Sequence, residues 1–404
     1  MIKNHFHSRV YRLFTSLTAL SLTAGIPLIA SVAQALSFNF TPTFDTTTAQ
    51  GQAAFNGFVE AGNLWSSFLR DPITINYTIG FQSLSPGVLA QASSQSAVFR
   101  YNQIATALRI DATSTDDLVA TANLPGFNEG GTEIFAFVGT EEDGSLEVDP
   151  FTTGVITADN VFLDVNKANA KALGLTIDAN GNPVNYNSED GLIIFSTDFT
   201  FDFDRSDGIE ANAFDFVGIA AHEIGHGLGF VSGVDIVDAL SRPTLAPGAS
   251  ATNLDPFAVF SVLDLFRYSE ASVAVGKNLG VPVLDLAVGS SGSFTLNGIT
   301  YTRSRPYFSI DGGQTNLGTF STGAFDGDGR QASHWQDNLN LGLMDPTVAP
   351  GELLQITALD VRAFDVMGFD TATPVPFEFS PGVGLAFLGG LFGLDYLRKK
   401  RKDE

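Results

Sequence analysis

The residues His222-Glu223-Ile224-Gly225-His226 are the part of this chain best suited to chemistry. On a helix, positions four apart lie nearly one above the other, so both imidazoles point to one side and can grip a single ion. Glu223 sits about 100° around the helix from His222, where it reaches a water at that ion without being a ligand. Zinc in such a site acidifies the water and polarises a substrate carbonyl, and the carboxylate accepts the proton. The motif therefore implies metal-assisted hydrolysis of a peptide bond. Phe214, Phe216, Val217, Ile219 and Ala220 precede it and predict a buried helix over residues 213–229. Gly225 and Gly227 cost that helix about 1 kcal/mol each relative to alanine. Their presence predicts a close approach, for which a substrate cleft is the natural occupant.

A catalytic zinc site needs three protein ligands and an open position. The chain has five histidines, and His5 and His7 lie in a leader-like segment, leaving His222, His226 and His334. His334 is thus the third candidate by elimination. Asp235 is chemically able and closer in sequence. Ser232 offers only a neutral hydroxyl, a poor zinc ligand. If His334 is the ligand, Asp235→Asn is expected to leave bound zinc nearly unchanged. Two acidic runs are candidate calcium loops. Asp202-x-Asp204-x-x-Asp207-Gly208-x-Glu210 lacks EF-hand spacing, and Asp326-Gly327-Asp328-Gly329 is shorter; a solvated acidic turn is the favoured reading of both.

The elements around the motif are mixed. Apolar spacing predicts helices over residues 49–69, 102–108 and 166–173, and alternation predicts strands over 73–79 and 192–203. A stretch rich in Gly, Ser and Pro follows the motif, with a strand over 293–301. A helix over 358–367 closes the domain, with Thr357 as N-cap and Gly368 as stop signal. Helices and strands without regular alternation favour an α+β fold.

The ends suggest export. Residues 1–35 read as a signal peptide, with Lys3, Arg9 and Arg12 before an apolar stretch and Ala33-Gln34-Ala35 at the cleavage site. Residues 371–378 read as a linker to a tail, 379–404, in which 16 mostly apolar residues precede Arg398-Lys399-Lys400-Arg401-Lys402. Residues 36–376 carry 13 basic against 40 acidic side chains, a net of −27, which disfavours nucleic acid and anionic membrane surfaces as partners. With no cysteine, stability must come from packing or bound metal.

His222 to Gly229 reads H-E-I-G-H-G-L-G, which resembles the metzincin metallopeptidases. Their compact motif has its third ligand three residues after that glycine, where this chain has Ser232. The pattern resembles the leishmanolysin-like branch instead, in which an insertion separates the glycine from a Ser-His-Trp sequence shortly before a methionine turn. Here Ser333-His334-Trp335 is followed by Gly342-Leu343-Met344-Asp345-Pro346. The resemblance implies that His334 completes the site and that Met344 forms its hydrophobic base. It also implies a zincin fold over 36–370, with subdomains of about 45–229 and 230–370 flanking a cleft. The family's cysteine latency switch is impossible in a chain without cysteine, and no tyrosine follows Met344 to stabilise an oxyanion. Pro376-Phe377-Glu378, the apolar run and the basic cluster resemble a PEP-CTERM sorting signal, which implies a membrane sorting enzyme as partner and a Gram-negative envelope. The expected function is that of an exported zinc metalloendopeptidase acting on proteins or peptides. The alternative is a non-catalytic surface or biofilm-matrix binding protein that keeps the fold.

Overall fold

The computed structural model describes residues 36–240 and 252–372, so the expected signal peptide and sorting tail lie outside the described residues. The architecture is mixed α and β. Strand Ser37–Pro42 runs into the long helix Ala49–Phe68, which returns the chain to pair strand Thr74–Gln82 in parallel. Thr48 caps the helix by accepting the Gly51 N–H. Ala54, Phe58, Ala61 and Trp65 recur at helical spacing and are all buried. Strand Thr74–Gln82 buries Ile75, Tyr77 and Ile79 on one face. Strand Gly191–Ser196 pairs with it in parallel, and Ala90–Ser94 closes the four-stranded sheet as an antiparallel edge.

The strand expected over 192–203 ends at Ser196. Pairing resumes only briefly, where Phe201–Asp202 pairs in parallel with Phe214–Asp215, and Phe201 and Phe203 pack around Phe216 with ring centroids 5.9 and 4.6 Å away. The motif helix spans Phe216–Leu228, beginning later than 213 because Asp215 is its N-cap. It lies against the long helix and the sheet, with Phe216 meeting Phe58 and Phe195 at 5.1 and 4.3 Å.

A second sheet joins the two expected subdomains. Strand Ala136–Thr140 pairs antiparallel with Leu146–Asp149 and parallel with Val283–Asp285 from the far side of residue 230. Arg303 fixes that third strand, its Nε lying 2.8 Å from both Asp285 oxygens in a fully buried pair. Carboxyl groups crowd the neighbouring hairpin. Burial, then the charges of neighbours, pushes Glu141 and Asp149 up to about 8, and burial pushes Asp159 up to about 7.

The close approach predicted at Gly225 and Gly227 comes from the core and not from a substrate cleft. A Cβ on Gly225 would lie 2.6 Å from Met344 Sδ, and one on Gly227 would lie 2.1 Å from the Tyr77 hydroxyl. Gly227→Ala should therefore lower stability by about 1–3 kcal/mol in denaturant unfolding, against its gain in helix propensity. Tyr77→Phe should be neutral or stabilising alone, since the buried hydroxyl has no hydrogen-bond partner, and should partly rescue Gly227→Ala. A stable Gly227→Ala protein would show that the contact yields.

Asp149 supplies a pH test. A carboxyl raised in the folded state binds protons that the unfolded chain has released, so its stabilisation is lost as pH rises from its ordinary value of 3.8 towards about 8. Asp149→Asn should thus stabilise more at pH 8 than at pH 5, the difference growing by up to about 1.4 kcal/mol per pH unit. Equal effects at both pH values, measured by thermal unfolding, would contradict this.

Candidate metal centre

The motif helix is held rigidly at both ends. The Asp215 carboxylate accepts the Gly218 N–H at 2.9 Å, pairs with Arg205 at 2.8 Å and accepts the Leu354 N–H at 3.0 Å. At the other end the Asn166 amide donates to the carbonyls of His226 and Gly227, at 2.9 and 3.3 Å. Between them, Trp65 Nε1 donates to the Ala221 carbonyl at 2.7 Å.

His222, His226 and His334 converge. Their Nε2 atoms are 3.0 Å (222–226), 3.1 Å (226–334) and 3.3 Å (222–334) apart. Each Nδ1 faces a backbone carbonyl: Leu343 at 2.8 Å, Phe230 at 2.8 Å and Gln331 at 3.2 Å. A carbonyl oxygen can only accept, so Nδ1 carries the proton and each neutral ring turns an unprotonated Nε2 to the others. Three lone pairs cannot hydrogen-bond one another. Protonation is opposed as well: burial lowers all three pKa values, with His226 falling to about 3. The charges of the other rings add to this at His226 and His334. A shared cation would satisfy all three lone pairs at once. Four nitrogens about 2.05 Å from a tetrahedral zinc would be about 3.3 Å apart, close to the separations here. The donor set and its geometry fit the metal that the motif implies, and among the described residues these three side chains form the one group so arranged.

Asp235 and Ser232, the two rival ligands, have other work. The Asp235 carboxylate accepts the N–H groups of Ala332 and Ser333 at 2.6 and 3.1 Å and the Ser333 hydroxyl at 2.5 Å. Ser232 gives its hydroxyl to Asp264 at 2.5 Å and its N–H to Ser333 Oγ at 2.8 Å. Met344 is wholly buried against Gly225 and Trp65, one residue along the helix from His226. Asp360, in the first turn of the closing helix Ala358–Val366, accepts from Trp335 Nε1 at 2.8 Å and the Leu343 N–H at 2.7 Å. The Trp335 N–H donates to the Met344 carbonyl at 2.9 Å, closing the loop that carries His334 onto the methionine turn.

Glu223 is buried and lines the same cleft as the three histidines, a cavity of about 840 Å³. Burial pushes its carboxyl up to about 8, partly offset by the Ala92 N–H of the edge strand. A dication alongside would act in the opposite direction and favour the carboxylate. The edge strand forms one wall, through Leu89, Ala90 and Ala92, and Pro346 to Val348 lie on another. Arg330 and Asp345 line the cleft too and were not singled out from sequence, since nothing local marks either. The acidic residues 202–210 do not converge as a calcium loop would. Asp202 accepts the N–H groups of Asp204 and Glu210 at 3.0 and 2.9 Å, and Asp204 accepts that of Ser206 at 3.0 Å. Asp328 is likewise engaged, by Arg305 at 2.6 Å.

No family model, curated protein or solved structure matches this chain, so the site is read from its own residues. If the triad holds a metal, one equivalent of zinc should raise thermal stability, by about 2.7 kcal/mol at a hundredfold excess over Kd. A chelator should reverse the gain and His226→Ala should abolish it. An equal shift in His226→Ala would place binding elsewhere.

Proposed function

We propose that this protein is an exported zinc-dependent metalloendopeptidase of zincin type, in the leishmanolysin-like branch of the metzincins. The observation that carries this reading is the convergence of three imidazole lone pairs beside a carboxyl group that is not one of them, all lining one open cleft. Zinc, when bound there, supplies Lewis acidity that acidifies water and polarises a carbonyl. His222, His226 and His334 hold it, each oriented by a carbonyl on Nδ1. Glu223 takes the proton from the attacking water and returns it to the leaving amine. The unpaired side of the edge strand Ala90–Ser94 faces the cleft and offers backbone N–H and C=O groups to an extended substrate.

The layout supports the zincin reading at several points. Parallel strands end in an antiparallel edge strand beside the motif helix, Met344 packs beneath the helix at Gly225, and the third histidine arrives from a distant loop. Cleavage of a sorting tail and residence in a Gram-negative envelope remain part of the proposal, on sequence grounds. A non-catalytic binding role would leave Glu223 without a task, because a structural metal site has no need of a carboxylate outside the ligand set.

Glu223→Gln should retain one zinc per chain and lose about 10²- to 10⁴-fold in kcat/KM on unstructured casein. His334→Ala should weaken zinc binding sharply, leaving a measurable affinity at the two motif histidines, and abolish turnover. Loss of zinc in Glu223→Gln would make Glu223 a ligand, and undiminished hydrolysis would remove it as the base.

A further inference from the structure

His334 comes from a loop 108 residues beyond His226, yet its Nε2 lies within 3.3 Å of both motif nitrogens. A ligand delivered from so far away needs something to hold it. Outside the triad its ring has one polar contact, with the Gln331 carbonyl at 3.2 Å. The stronger grip is on the residue before it. Ser333 is bound at every polar atom its conformation offers to the segment leaving the motif helix. Its Oγ accepts the Ser232 N–H at 2.8 Å, so its hydroxyl hydrogen is free to point at Asp235, 2.5 Å away. The Ser333 and Ala332 N–H groups point at the same carboxylate, at 3.1 and 2.6 Å. One carboxylate thus receives three donors from two consecutive residues beside the ligand, a density met elsewhere at helix caps and anion sites.

The clamp is braced from behind. Asp235 lies in the first turn of the helix Val234–Leu240, and the turn before that helix is fixed by Asp264, which accepts the Ser232 hydroxyl at 2.5 Å and the Gly233 N–H at 2.8 Å. Arg267 holds the other side of the loop, donating to the Ser321 carbonyl at 2.8 Å, while the Ser321 N–H donates to the His334 carbonyl at 3.0 Å.

We propose that Asp235 is a positioning residue of the metal centre, acting through Ser333 to hold His334 where its Nε2 meets those of His222 and His226. The inference rests on the metal-binding reading above and reverses the expectation that Asp235→Asn would leave zinc unchanged. An asparagine in that place can accept only through its carbonyl oxygen and turns an NH₂ group towards donors. The loop would then loosen, and part of the binding energy would go into ordering His334.

The test is a double-mutant cycle on zinc affinity, read by competition with a chromophoric chelator. Asp235→Asn should weaken zinc binding about 10- to 100-fold. In a His334→Ala background the same substitution should change affinity by no more than about twofold, because the ligand it serves is gone. Ser333→Ala, which removes only the hydroxyl between the two sides, should weaken binding in the same direction and likewise have no effect without His334. Thermal unfolding of the metal-free variants reports whether each still folds. Parental affinity in Asp235→Asn would overturn the inference, as would an equal loss in the His334→Ala background, which would mark Asp235 as a general brace or a ligand in its own right. Failure of the unsubstituted protein to take up zinc would instead overturn the metallopeptidase reading itself.

Discussion

Three neutral imidazoles aim unprotonated nitrogens at one point, and the rest of the molecule is arranged around that constraint. Left alone, the three lone pairs face one another with no donor among them, since none of the rings carries a proton at Nε2. The backbone carbonyls on Nδ1 determine this outcome, since they hold the proton on the far side of every ring. The same contacts make each Nε2 a better ligand, because a ring hydrogen-bonded to a carbonyl is both oriented and more basic. A cation turns the whole arrangement from cost to gain. On the metal-binding reading, the packing beneath is what holds three acceptors this close together.

That packing is dense where the ligands need rigidity. The motif helix is wedged among Phe58, Phe195, Phe203 and Trp65, and its two glycines let Met344 and Tyr77 come closer than any side chain would allow. Two carboxylates then connect distant segments to it. Asp360 joins the closing helix to Trp335 and to Leu343, whose carbonyl orients His222. Asp235 joins the segment after the motif helix to the loop of His334. Each is compensated for its burial by several donors, the condition under which a buried carboxylate strengthens a structure.

The convergence of the three histidines was legible because their signals are local or countable. A four-residue histidine spacing needs only a helix, and three histidines remained once the expected leader was set aside. Thr357 as N-cap was legible for the same reason, and it accepts the Leu359 and Asp360 N–H groups as a cap does. What lay out of reach depends on contacts between residues far apart. The pairing of Ala136–Thr140 with Val283–Asp285 leaves no periodic mark in either segment. Asp235 had the right chemistry for a ligand, and only the fold shows it turned towards Ser333. The glycines were read correctly as sites of close approach, but sequence could not say that the neighbours were Met344 and Tyr77. Alternation suggested one strand over 192–203, where the structure stops at Ser196 and resumes only as the short strand Phe201–Asp202 beside Phe216.

The division of labour between the three histidines and Glu223 bears on whether such a site would hold a metal for structure or for reaction. A structural zinc site closes its coordination with a fourth protein ligand. Among the described residues three side chains gather here, and all three line an open cleft. Glu223 stands within that cleft, its carboxyl meeting the Ala92 N–H of the strand that forms the wall. A substrate backbone laid along Ala90–Ser94 would pass beside both the open coordination position and this carboxyl. On the metallopeptidase reading proposed above, a carboxyl outside the three histidines and beside that strand is placed for proton transfer, a task that a purely structural site would not give it.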